Sequence, residues 1–569
     1  MLSIRSYIFL IAVLLATLNS EECLAIEANP IVQADRAFQS EDWQLYEQIY
    51  RHLAESNPHN GRFWARLADG LRRQDRHREA QSASIEAIDL GYDVAQQQYS
   101  IARSHAKLGQ ISQALDWYVK ARRNKLRNAE LKLLGDPEWK AFKDREEFIA
   151  VAYPLIGEDE PRHARWRSDL DFLDKRMRET HFDLFAKLSE DEWVASIKEL
   201  SDNSQNLSDE ALQDGIARLL VQIGDGHTMV LPKTEGPARD RILPVGFYLF
   251  DDGLFVVGAH GEYLDLVGSE VLAINGVPTS KVLEALASVI SHDNKFGLRW
   301  LGVDLLSWLP TLRRAGMTEP GKDPVFTFDR SGRAETRVIR AIPFDPIVYS
   351  SCCSGLRDKS ATAPFWLANT DAPYWTVFDE DAKTQYLQLN QIADRRDEPL
   401  EAVLQATVTK IAESAPGAFV LDLRHNSGGD GDLNPMIMRY LLKIEEQIPP
   451  NRFFVAVGRR TFSAAMNLAS LISNWTDARF IGEPTGSSPN FTGESDLILL
   501  PNSNLRLSVS SRRWLGSTSD DQRKWLAPHI GITLSSKDFF SHFDPVMSAI
   551  KKMPPADQGG VDRNEERKD

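Results

Sequence analysis

The chain has 569 residues, of which 42% are hydrophobic and 26% charged, and a net charge of −15. That length exceeds what one core holds, so several domains are expected, and the composition excludes a chain disordered throughout. The acidic balance, with no basic stripe interleaved with aromatics, argues against nucleic acid or an anionic membrane as partner.

Residues 1–25 read as a signal peptide. Arg5 supplies the positive start, Tyr7 to Leu18 the apolar core, and Cys23-Leu24-Ala25 a small-x-small cleavage site. The run is short for a spanning helix, which favours cleavage over an uncleaved anchor. No later segment is apolar enough to span a membrane. A periplasmic or secreted location is therefore expected. Cys352 and Cys353 then remain, adjacent and without the spacing of a metal site or a disulfide scaffold. A structural or incidental role and a vicinal disulfide both stay open.

Residues 30–155 show a 34-residue period. Leu67, Ala68, Ala80 and Ala87 recur as Ile101, Ala102, Ala114 and Ala121, and Tyr46, Leu53 and Pro58 lie one period upstream. Small residues at these offsets let antiparallel helices approach closely, with Trp64 filling the gap between neighbours. The pattern resembles tetratricopeptide repeats; an irregular helical bundle is the alternative. Either would offer a surface for a protein partner.

Residues 160–235 form a second helical region. Its last helix has Ser208 as cap and Asp209 and Glu210 in the first turn. Leu212, Ile216, Leu219, Leu220 and Ile223 line one face, and Gly224 stops it. The turn Asp225-Gly226-His227-Thr228 then presents a histidine. Residues 240–345 change to strands, with a hairpin at Asp251-Asp252-Gly253 and a short strand and turn in Gly268 to Gly276. A helix carrying Val282, Leu283, Leu286 and Ile290 follows. This segment resembles the latter half of a PDZ-like module, which would hold an extended peptide as an added strand.

Residues 365–552 alternate strands and helices: Tyr386 to Leu389, a helix near 398–413, Phe419 to Leu423, a helix near 433–443, and Phe453 to Val457. Such alternation means an α/β sheet with crossover helices. The tail, 553–569, is expected to be disordered.

The chemistry concentrates where two of these strands end. Val420-Leu-Asp-Leu-Arg-His-Asn-Ser-Gly-Gly-Asp430 runs an apolar strand into a double-glycine turn, and Thr461-Phe-Ser-Ala-Ala465 puts a serine at the start of a helix. Glycines let backbone N–H groups converge on an oxyanion, and a helix N-terminus adds free donors and a favourable dipole. The inner face of that helix reads Ala465, Leu468, Ala469, Ile472 and Trp475. Ser463 is then either a nucleophile or a mere N-cap. A nucleophilic hydroxyl needs a base, for which His227 is the first candidate and His425 the local competitor.

The run Leu421 to Gly429, the box Thr461 to Ala465 and Gly482-Glu-Pro-Thr485 resemble the tail-specific (C-terminal processing) serine peptidases. The resemblance covers roughly residues 160–550. It implies a multi-domain α+β chain with a crotonase-like α/β catalytic domain that takes peptide or protein substrates. It also implies Ser463 as nucleophile, with the N–H groups of Ala464 and of Gly428 or Gly429 as oxyanion hole. The lysine of the processing branch would fall at Ser488, so a Ser–Lys dyad is not expected. The Asp225-to-Thr228 turn resembles instead the tricorn-core-like branch, which implies His227 as base and a late carboxylate to orient it: Asp521 first, Glu494 second. His529 stands where related chains often carry an aspartate.

No cofactor and no metal are expected, because the histidines show no ligand spacing and the glycine pair is not followed by a nucleotide-binding pattern. An alternative from another class is a non-catalytic ligand- or protein-binding module, since the fold also resembles that of the interphotoreceptor retinoid-binding proteins.

Overall fold

The structure, a computed structural model, describes residues 29–152, 159–237, 239–358, 360 and 362–554. The signal peptide expected at 1–25, and the tail beyond Pro554, lie outside the described residues. Among the described residues no helix is long and apolar enough to cross a membrane. The chain is a mixed helical and sheet protein in two compact units.

The first unit comprises the residues up to Thr180 together with Asp496–Asn504. Successive helices run Pro30–Gln39, Trp43–Ser56, Gly61–Arg73, His77–Asp89, Val94–Lys107 and Ile111–Arg123. Ala68 and Ala80 are buried in one apolar cluster, and Ala102, Ala114 and Ala121 in the next. Side chains this small let neighbouring helix backbones close on each other. The helix Arg162–Thr180, read above as part of the second helical region, belongs to this unit. Its buried Asp169 accepts hydrogen bonds from Asn502 N (2.9 Å) and Ser503 N (2.8 Å), which holds the 496–504 segment to it.

The second unit opens with helices Glu190–Asn203 and Asp209–Ile223. Ser208 Oγ accepts from Ala211 N–H at the start of the latter, and Gly224, at φ 78°, ends it. Such a left-handed C-terminal residue strongly favours glycine.

A five-stranded antiparallel path follows, ordered Val245–Leu249, Leu254–Ala259, Glu270–Ile274, Val325–Arg330 and Arg333–Val338. Phe250 N–H closes the first hairpin onto Gly253 C=O at 2.8 Å. Gly246 and Gly258 face each other across it. A Cβ on either would lie 2.0 or 2.2 Å from the Cys352 carbonyl oxygen. The glycines are what let the Cys352–Cys353 turn, a vicinal disulfide, dock there.

The sheet that carries the candidate site has six strands: β1 (Tyr374–Asp379), β2 (Thr384–Leu389), β3 (Ala418–Asp422), β4 (Phe453–Val457), β5 (Arg479–Gly482) and β6 (Ile530–Gly531). They lie in sequence order, with β1 antiparallel and the rest parallel. Helices α1 (Leu400–Ser414), α2 (Asn434–Glu445) and α3 (Ser463–Trp475) bury Leu404, Leu441 and Leu468 with Leu421 and Val455 in one core. A second cluster joins Val420, Phe454 and Ile481 to Val546 and Ile550 of α4 (Pro545–Lys552). Strands covered on both faces read as unbroken apolar runs, as β3 and β4 do. Ala465, Leu468, Ala469 and Ile472 of α3 are fully buried, but Trp475 is 70% exposed and does not belong to the inner face.

Candidate active site

The site begins at the carboxyl ends of β3 and β4, which lie side by side in parallel. In open α/β sheets this edge is where ligands bind. Below it, buried Asp422 accepts from Tyr386 Oη (2.7 Å) and Arg424 Nη2 (2.6 Å), and Arg424 also reaches Asp544 (2.9 Å). This network pins the end of β3. Asn426 then organises the turn: Oδ1 accepts Gly428 N–H (2.9 Å) and Nδ2 donates to Leu389 C=O (3.0 Å).

Gly428 and Gly429 adopt φ 119° and 135°. Gly428 C=O accepts from Ile392 N–H (2.9 Å), and Asp430 N–H donates to Ile392 C=O (2.7 Å). A Cβ on Gly429 would sit 2.0 Å from Ile392 O, and one on Gly428 would sit 2.7 Å from Ser463 Cβ. Both glycines are thus required by their backbone angles, Gly428 also by its approach to Ser463 and Gly429 by its approach to Ile392.

The other strand delivers the serine. Thr461 Oγ1 accepts from Gly458 N–H (3.1 Å) and donates to Leu423 C=O (3.0 Å), and Phe462 N–H reaches Asn426 C=O (3.3 Å). These bonds staple the 458–462 segment to the glycine turn. Ser463 follows as the first residue of α3, at φ 52°. The N-cap is Phe462, with no side-chain cap bond, so Ser463 is not the N-cap that the sequence left open. A non-glycine residue held at positive φ is strained, and such strain clusters at functional sites. Among the described residues no hydrogen bond engages Ser463 Oγ, Ala464 N–H or Gly429 N–H, whereas Gly428 N–H is committed to Asn426.

His227 arrives from the end of the helix Asp209–Ile223. Asp225 holds the turn: Oδ1 accepts from His227 N (2.9 Å), Thr228 N (2.8 Å) and Ser510 Oγ (2.6 Å), while Oδ2 pairs with His181 Nε2 (2.9 Å). Burial opposes ionisation of Asp225, yet the His181, Ser510 and backbone bonds prevail and bring it down to about 2. Asp293 Oδ1 accepts Gly226 N–H (2.7 Å), and Oδ2 accepts Ser487 Oγ (2.5 Å).

His227 is 8% exposed, and its ring stacks between Phe462 (4.4 Å) and Phe491 (5.6 Å). Among the described residues neither ring nitrogen, both buried, has a hydrogen-bond partner of normal geometry. Burial lowers its pKa below the usual 6.5; Asp293, then Asp225, Glu494 and the Thr492 backbone pull the other way. His227 therefore touches the residue next to Ser463, and no hydrogen bond joins the two side chains.

The remaining sequence candidates fall elsewhere. Asp521 is bound by Arg523 (2.7 Å), whose guanidinium holds its pKa well below the carboxylate range, and it is not among the leading charges acting on His227. Glu494, at φ 63°, is one of those charges, the weakest of the three. His425 stacks on Trp366 (5.3 Å), and burial pushes it down to about 3. Ser488 Oγ donates to Asn490 C=O (2.8 Å), and His529 Nδ1 accepts from Phe480 N–H (2.9 Å). Asp293 carries no local signal in the sequence because it lies 67 residues from Gly226, in a turn before a helix capped by Asn294. Among the described residues no group of three His, Cys, Asp or Glu side chains is placed to hold a metal.

No family model and no curated protein sequence matches the chain. Among solved structures it is similar to mature CPAF complexed with lactacystin, at 14% identity, TM-score 0.49, 68% of this chain and 98% of that one. It is similar to the photosystem II D1 C-terminal processing protease at 13% identity, TM-score 0.33, 66% and 94%. A third likeness is to the tricorn protease, at 14% identity, TM-score 0.30, 68% and 36%. At these values the likenesses name neighbours only.

Proposed function

We propose that the chain is an exported serine hydrolase acting on peptides or proteins. The observation that carries this reading is the junction of β3 and β4: a serine held at positive φ on a helix N-terminus, facing a glycine turn, with two N–H groups beside it that no described residue engages. Ser463 Oγ attacks the substrate carbonyl carbon, and the C=O π pair moves onto oxygen. The Gly429 and Ala464 N–H groups receive that oxyanion; Gly428 supplies the close approach instead of a donor. Each such donor contributes about 3 kcal/mol in the transition state.

His227 takes the Ser463 proton and returns it to the leaving amine as the C–N bond breaks, and water then repeats the sequence on the acyl-enzyme. Its lowered pKa keeps the ring neutral, as a base must be, at neutral pH. The helices of the first unit supply a surface for a protein partner.

A fluorophosphonate probe tests the reading. It should label Ser463 and not Ser463→Ala. One observation favours the second reading, a non-catalytic binding module on the same fold: Ser463 and His227 share no hydrogen bond here. No labelling of folded protein, with the site shown to be open to small probes, would select that reading.

A further inference from the structure

We propose that Asp293 is the positioning carboxylate for His227, an assignment that rests on the serine-hydrolase reading above. When His227 takes a proton it becomes a cation between two phenylalanine rings, with little water to solvate it. Such a charge needs a fixed counter-charge nearby. Three carboxylates favour that charge electrostatically: Asp293 most, then Asp225 and Glu494.

Asp225 is committed. Its two oxygens are shared among two backbone N–H groups, the Ser510 hydroxyl and the His181 imidazole. Asp521, the candidate from sequence, is neutralised by Arg523. Asp293 differs from both. No lysine or arginine pairs with it among the described residues; burial raises its pKa, and His227 is the leading charge that pulls it back down, helped by the Ser487 and Gly226 bonds. One oxygen grips Gly226 N–H, the peptide directly before the histidine, at 2.7 Å. The other accepts the Ser487 hydroxyl at 2.5 Å, two residues past Thr485 of the Gly482-Glu-Pro-Thr485 box. Asp293 therefore links the turn that carries the imidazole to the loop after β5. A Cβ on Gly226 would lie 3.1 Å from Asp293 Oδ1 and 3.0 Å from Phe462 Cζ, so the carboxylate, the turn and the ring preceding Ser463 are packed together.

The test uses the full chain with Asp293→Asn, which keeps an acceptor for Gly226 while removing the charge. Two readouts are taken: the His227 pKa by NMR of histidine-labelled protein, assigned with His227→Gln, and the pH profile of fluorophosphonate labelling. Removing a facing carboxylate should lower the His227 pKa by about one unit. The acid limb of labelling should move the same way, with a plateau about tenfold lower, because a less basic imidazole is a weaker general base. Ser487→Ala, which retains the charge, should leave the limb in place.

An unmoved His227 pKa in Asp293→Asn, with a fall in Glu494→Gln, would overturn the proposal in favour of Glu494. Absence of labelling in the wild type would sink the hydrolase reading alone; the NMR comparison would still decide whether Asp293 is the charge that His227 feels.

Discussion

Gly428→Ala separates a catalytic role of the glycine turn from a structural one. At φ 119° an alanine is strained by about 1–3 kcal/mol. Its Cβ would meet Ser463 Cβ at 2.7 Å and Ala464 N at 3.1 Å, the two groups that the mechanism requires to be in place. Relief of that clash displaces the hydroxyl, an oxyanion donor, or both. Loss of one such donor slows acyl transfer by about 10²–10³-fold. The second-order rate of fluorophosphonate labelling should fall by that factor, while urea denaturation shows a loss of only about 1–3 kcal/mol. Gly429→Ala makes the contrast, because its Cβ would meet backbone, Ile392 O at 2.0 Å, and should cost more stability. Labelling of Gly428→Ala at the wild-type rate, despite the stability loss, would refute the assignment.

At position 463 itself, glycine should be more stable than alanine by about 1 kcal/mol in urea unfolding, since only glycine is unstrained at φ 52°; equal stabilities would remove the strain argument. Asp225, held at about 2 against an unfolded value of about 3.9, gives the folded state about 2–3 kcal/mol that is fully present above pH 4 or so. That contribution should disappear as pH falls from about 4 towards 2, and Asp225→Asn should flatten this part of the stability–pH curve. Arg424→Met leaves Asp422 and Asp544 unpaired in a buried network and should cost about 3–5 kcal/mol, read from the urea midpoint.

Much of the fold was legible because periodicity and breakers coincide. Ser208 and Gly224 mark both ends of the helix Asp209–Ile223, and the apolar run Phe453–Val457 is the strand itself. The glycine turn and Ser463 were legible as neighbours because two consecutive parallel strands put their ends together. What stayed hidden depends on long-range contacts. Whether Gly428 or Gly429 has the free N–H is decided by where Asn426 points. Asp521 looked suitable until Arg523, two residues on, claimed it. Asp293 has no local signature, and only the tertiary fold brings it to Gly226. Trp475 kept the helical period of α3, but the chain leaves the core one turn earlier.

The central claim is that His227 activates Ser463, and the pH dependence of Ser463 labelling in wild type and His227→Ala tests it most directly. The wild-type rate should rise through an acid limb below pH 6.5, and the variant should be about 10²–10⁴-fold slower, without that limb. A variant that labels as fast as the wild type, with the same limb, would contradict it.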